Sequence, residues 1–252
     1  MSGRQAYDPV GTGRSTKTLS ELLLTVYSDK AYATIVVAER LTLGRARVLL
    51  ADDHLMLVEA LKKVLEAEYE VVGSVGDGLA LLKAAEKLRP DVVVLDIAMP
   101  LMNGLDAGRQ LQHDMPAVTL VFLTMNEDPY LVGEAFHVGA SAYLLKQGAA
   151  LELTQAISDV LKGRIYVTPC VAGGLANISL LDPEAREHAP QPTPRQRQVI
   201  QLLAEGRSMK ETADLLNITM RTVASHKYRV MELLQIKTSA ELIRYAVKHR
   251  IV

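Results

Sequence analysis

Residues 47–57 read "RVLLADDHLML", an apolar run that ends in two adjacent carboxylates, Asp52 and Asp53, with His54 behind them. The run is strand-like, and "HLMLVEALKKVLEA" after it places apolar residues at helical spacing. The same alternation continues downstream. "YEVVGSV" is strand-like, "GLALLKAAEKL" helical, and "DVVVLD" a β-branched strand preceded by Pro90. Then "LDAGRQLQ", "AVTLVFLT", "YLVGEAFHVG", "AYLLK" and "ALELTQAISDVLKG" follow as helix, strand, helix, strand, helix. Strands that are apolar throughout and separated by helices predict a doubly wound α/β domain, a five-stranded parallel sheet covered on both faces.

In such a sheet the functional site lies beyond the carboxyl ends of the strands. Here the first strand ends at Asp52 and Asp53, the third at Asp96, the fourth at Thr124 and the fifth at Lys146. Each residue has a plainer role when taken alone. Asp53 fits a helix cap, Asp96 a turn beside Pro100 and Gly104, and Lys146 a surface lysine. Together they make a different pattern. Three carboxylates crowded in one cleft repel unless a cation joins them or a proton is retained. Carboxylate oxygens suit Mg²⁺, and a hydroxyl and an ammonium beside them suit a phosphoryl group.

The bulk composition agrees with an ordinary globular protein of two domains: 252 residues, 49% hydrophobic and 23% charged. No apolar run is long enough to span a membrane and the N-terminus does not read as a secretion signal, so a cytoplasmic location without membrane contact is expected. Cys170 is the only cysteine, which rules out an internal disulfide or a cysteine-built zinc site. "GSVGDG", residues 73–78, lacks the glycine order of a dinucleotide loop. Charge is unevenly placed. From Arg195 onward there are eleven Lys and Arg against five Asp and Glu, so the remainder of this chain of net charge −1 is acidic. A basic second module invites an anionic partner such as nucleic acid.

That second module begins after a stretch from Arg164 in which Gly and Pro accumulate and periodicity fades. Thr193 followed by Pro194 starts a helix that Gly206 closes, and Ser208 with Glu211 forms a capping-box pattern for the next. "SMKETADLLNITMRTVASHKYRVMELLQI" holds two helices joined near Asn217, the layout of a helix-turn-helix whose second helix enters the major groove. On that helix Met220, Val223, Val230, Leu233 and Leu234 are expected to face inward. Arg221, Ala224, Ser225, Lys227, Tyr228 and Arg229 are expected outside.

"LLADDH", "VVVLDIAMPLMNG", "VFLTM" and "GASAYLLK" resemble the receiver domain of bacterial two-component response regulators. The segment from "TPRQRQVIQLLAEG" to "SAELIRYAV" resembles the LuxR-type DNA-binding domain, so the whole is similar to regulators of the NarL/FixJ type. The division implied is an N-terminal extension at 1–45, a receiver at 46–163, a linker at 164–192 and a helix-turn-helix domain at 193–252. By resemblance Asp96 is the phosphoacceptor. Asp53, Asp96 and the Ala98 backbone carbonyl hold Mg²⁺, with Asp52 acting through water. Thr124 and Lys146 contact the phosphoryl group, and Tyr143 is the aromatic switch residue, expected to rotate inward on phosphorylation.

Gln147 follows Lys146 where many receivers have proline, and Ala224 and Ser225 stand where many relatives carry a lysine and a polar residue, which bears on base preference. The implied partners are a sensor histidine kinase, double-stranded DNA and a second copy of the chain, joined through the last helix around residues 242–247. The implied role is transcription regulation rather than enzymatic turnover. An alternative is a receiver that serves only as a protein-interaction module.

Overall fold

The computed structural model describes residues 44–175, 192–249 and 251–252. The stretch "LSELLLTVYS", residues 19–28, predicts a short helix beginning at Ser20, which lies outside the described residues. Strands β1 (Arg47–Ala51), β2 (Glu70–Val75), β3 (Val92–Asp96), β4 (Thr119–Thr124) and β5 (Ala140–Leu145) form a parallel sheet in the order β2-β1-β3-β4-β5, with a further strand at its edge. Between them run α1 (Leu55–Leu65), α2 (Gly78–Leu88), α3 (Gly104–Asp114) and α4 (Pro129–Val138), and α5 (Ala149–Leu161) follows β5.

Side-chain alternation along each strand builds two cores. Val48, Leu50, Val94, Leu123 and Leu144 pack under α1 and α5. Leu49, Leu95, Phe122 and Tyr143 pack under α2, α3 and α4. Chain order reverses between β1 and β3, and the crevice at their carboxyl ends is where Asp52, Asp53 and Asp96 stand.

The edge strand extends the expected sheet. Tyr166 and Val167 form β6, paired with Ala142 and Tyr143 of β5, and α6 (Pro169–Leu175) follows. Residues that read as the start of a linker therefore extend the sheet beyond β5. The Thr168 side-chain oxygen accepts from the Leu145 N–H at 3.2 Å and its hydroxyl donates to Glu152 at 2.9 Å, which ties the segment to β5 and α5.

The second domain comprises α7 (Pro194–Ala204), α8 (Met209–Leu216), α9 (Met220–Leu233) and α10 (Ser239–Lys248). Capping boxes at Thr193, Ser208 and Thr238 start α7, α8 and α10. Asn217, at φ 51°, takes the left-handed conformation that ends α8 and turns the chain into α9. Met220 is a correction to the expected inward face: it is 54% exposed, and Met231 is buried in its place with Val223 and Val230. Met220 opens the helix at the turn, one residue after its cap, where the core has not yet closed over it.

The two domains touch. Helix α7 lies on the loop between β3 and α3, where Leu101 packs against the cluster of Val199, Leu202, Ala213, Leu216 and Val223. Leu101 has φ 65°, an uncommon conformation for a branched side chain.

Candidate functional site

Strand β1 delivers Asp52 to the crevice, and β3 delivers Asp96; both are buried, at 4% and 2% exposure. Asp53 is half-open to solvent and does not cap α1, whose N-cap residue is His54 with no side-chain cap bond. Lys146, directly after β5, reaches across. Its ammonium lies 2.7 Å from Asp52 Oδ2 and 2.8 Å from Asp96 Oδ2. His54 Nδ1 lies 3.0 Å from Asp52 Oδ1 and 2.8 Å from Asp53 Oδ1, and the His54 backbone N–H donates to Asp52 at 2.9 Å. Ligand atoms of Asp52, Asp53, His54 and Asp96 all fall within 4.8 Å of one another.

The electrostatics follow from this packing. Burial pushes the Asp96 carboxyl above its ordinary range, against the opposing pull of Lys146 and of the Ala98 backbone N–H, while Asp52 adds to the rise. Burial acts to lower the Lys146 ammonium, but hydrogen bonds and charge from Asp52 and Asp96 prevail and hold it above its usual value. Three carboxylates face one ammonium, so an excess of negative charge remains for a cation. Hard oxygen donors with that excess fit Mg²⁺. Asp52, Asp53 and Asp96 supply the carboxylate oxygens of that cluster.

Thr124 ends β4, buried, its side-chain oxygen accepting from the Asn126 N–H at 3.2 Å. Tyr143 lies fully buried on β5, and its hydroxyl donates to the Asn126 carbonyl at 2.8 Å. The ring lies inside, held by a hydrogen bond to the loop after Thr124. Asn126 joins the two through its backbone, a link with no sequence pattern of its own.

The DNA-binding candidates sit together on α9. Arg221, Ser225, Tyr228 and Arg229 are exposed, and Ala224 is partly so. Lys227 is half-buried and donates to Ser239 Oγ at 2.8 Å, which ties α9 to the start of α10. On α10 Leu242 and Ala246 are buried in the domain's own core, which leaves Ile243 and Val247 as the exposed apolar part of the expected dimer surface. No helix among the described residues is long and apolar enough to cross a membrane.

Residues 48–158 match the response regulator receiver domain, and residues 192–246 match the LuxR family of bacterial regulatory proteins. The transcriptional regulatory protein MctR of Rhizobium johnstonii is 34% identical over 210 residues, 82% of this chain and 96% of that one. Among solved structures, the RcsB response regulator of Salmonella typhimurium is 27% identical with a TM-score of 0.55, covering 82% of this chain and 98% of that one. An RcsB–DNA complex matches at 27% identity and a TM-score of 0.51, covering 81% and 98%. With a receiver site at the strand ends and a capped helix-turn-helix behind it, the chain belongs to the response regulators of the NarL/FixJ type.

Proposed function

We propose that the chain is a transcription regulator switched by phosphorylation of Asp96. The observation that carries this reading is the Lys146 ammonium, held 2.8 Å from a buried Asp96 carboxylate at the one edge where Asp52 and Asp53 also converge. The Asp96 carboxylate attacks the phosphorus of a phosphohistidine on a sensor kinase. The P–N bond breaks and the imidazole of the kinase leaves with its electron pair. Lys146 neutralises charge on the transferred oxygens, and the Thr124 hydroxyl, already at the strand end, turns to receive one of them. Asp53, Asp96 and the Ala98 carbonyl, with Asp52 beside them, would hold Mg²⁺, which would supply further charge neutralisation at the transferred group.

A new dianionic group beside Thr124 disturbs the Asn126 backbone that Tyr143 holds, which carries the event to the surface. Binding to DNA as a dimer follows from the exposed basic face of α9, with Ile243 and Val247 as the joining surface and pseudo-palindromic sites as the consequence of two-fold symmetry.

Incubation with acetyl phosphate and Mg²⁺ tests this. Wild type is expected to incorporate one phosphoryl group and to gain DNA affinity, whereas Asp96→Asn does neither. Labelling that persists in Asp96→Asn rules out the switch. Full labelling with unchanged DNA affinity identifies an interaction receiver instead.

A further inference from the structure

The loop after Asp96 is held from outside its own domain. Its backbone carries three groups that the second domain satisfies. The Met99 carbonyl accepts from Gln201 Nε2 at 2.9 Å, the Asn103 N–H donates to Gln201 Oε1 at 2.8 Å, and the Leu101 N–H donates to a Glu205 carboxylate oxygen at 3.0 Å. Gln201 is 1% exposed, and its amide also donates to Glu205 at 2.9 Å, so the two side chains act as one clamp. Met99 follows directly on Ala98, whose N–H bonds the Asp96 carboxylate. Asn103 caps α3, and Gly104 bonds back to the Ile97 carbonyl at 2.8 Å. The clamped segment is therefore bounded on both sides by contacts to the phosphoacceptor strand. Leu101 keeps its left-handed conformation with its side chain against the second domain's core.

The clamp leaves the DNA-facing surface free. Arg221, Ser225, Tyr228 and Arg229 on α9 remain exposed while α7 is docked. Docking thus does not act by covering α9. Its direct contact is with the segment that carries the Ala98 carbonyl.

We infer that Gln201, a residue of the DNA-binding domain, is a positioning residue for the receiver's metal site: it fixes the Met99–Asn103 backbone and so pre-organises the neighbouring Ala98 carbonyl for Mg²⁺. This rests on the reading of Asp53, Asp96 and Ala98 as the metal groups. A loop already held in place loses less freedom when an ion binds, so affinity is higher with the clamp closed. Linkage requires that Mg²⁺ strengthen domain docking by the same factor.

The test uses the full chain and Gln201→Met, which keeps the volume and removes both hydrogen bonds to the loop, along with the one to Glu205. Mg²⁺ affinity is followed by calorimetry and loop protection by amide hydrogen exchange at Leu101 and Asn103 without metal. Gln201→Met is expected to weaken Mg²⁺ binding by about fivefold or more. Its Leu101 and Asn103 amides exchange faster, and the Mg²⁺ concentration for half-maximal labelling by acetyl phosphate rises while the rate at saturating Mg²⁺ holds. A purely structural defect would lower that plateau rate instead, and would overturn the inference. Unchanged or tighter Mg²⁺ binding alongside faster exchange also overturns it. Should Gln201→Met not fold, Glu205→Met, at a more open position, is expected to move affinity the same way, and an unmoved affinity there counts against the clamp. Wild-type Mg²⁺ uptake that Asp53→Asn leaves intact sinks the metal assignment itself, and the positioning role with it.

Discussion

Lys146 is the residue on which the charge balance turns. Its side chain is 5% exposed, and the Asp52 and Asp96 side chains that it meets are only 5% and 3% exposed, so water has little access to take its place. Replacing it by methionine leaves two buried carboxylates facing each other, the situation in which removal of one partner costs about 3–5 kcal/mol. The cost depends on pH. Asp96 is already raised by burial and lowered by Lys146, so losing Lys146 raises it further. A carboxyl raised on folding contributes stability that is present at low pH and lost as pH rises through its folded value. Lys146→Met is therefore expected to be most destabilised near neutrality, with the deficit shrinking toward the ordinary carboxylate range near pH ~4. Urea midpoints of both proteins across that range check this, and a deficit that grows on acidification contradicts it.

At the scale of elements, the register of α3 against β3 sets where Asp96 sits. A methyl on Gly104 would stand 2.0 Å from the Asp96 carbonyl oxygen, backbone against backbone, so one of the two must move. Gly104→Ala is expected to cost about 1–3 kcal/mol as an overpacked contact. It should also slow phosphoryl labelling, which a denaturation midpoint and a labelling time course report together. On α9 the structure separates two lysine and arginine roles that sequence grouped. Arg229 is exposed, and Arg229→Ala is expected to reduce the slope of log affinity against log salt by about 1. Lys227 serves Ser239, so Lys227→Ala should weaken the domain more than it flattens the slope.

The strands and helices of both domains were legible because each carries its period over a full element, and Asp52, Asp53, Asp96 and Lys146 because strand ends bring them to one edge. Strand β6 was not, since Tyr166 and Val167 are too few to show alternation. Gln201 was not legible either. A glutamine reads as solvent-facing, and its partners are backbone groups about a hundred residues away that leave no mark on local pattern.

At the scale of the whole molecule, the acidic and basic halves meet at a specific pair. Asp106, on the first turn of α3, accepts from Arg197 of α7 at 2.8–2.9 Å and from Arg109 of its own helix at 2.7 Å. Asp106 and Arg197 side chains are 6% and 17% exposed, so salt screens this contact less than the open charges of α9. Arg197 also donates to the Pro192 carbonyl at 2.7 Å, anchoring the chain as it enters α7. It lies one turn before Gln201 on the same helix, so the ion pair and the amide clamp hold one face.

Arg197→Met keeps Asp106 partnered by Arg109, so the receiver itself is expected to stay folded. What is lost is a charge-assisted contact between domains, about 1.5–3 kcal/mol of docking. In calorimetry the wild type is expected to unfold as one coupled transition, and Arg197→Met to resolve into two, the second domain melting first. Small-angle scattering should show a larger radius of gyration for the variant without Mg²⁺. If docking and metal binding are linked through the loop, saturating Mg²⁺ restores part of the compaction in Arg197→Met, where Gln201 is intact. A variant with a single transition and wild-type dimensions would mean that the ion pair contributes nothing to docking, and that the loop contacts of Gln201, Glu205 and Leu101 hold the domains by themselves.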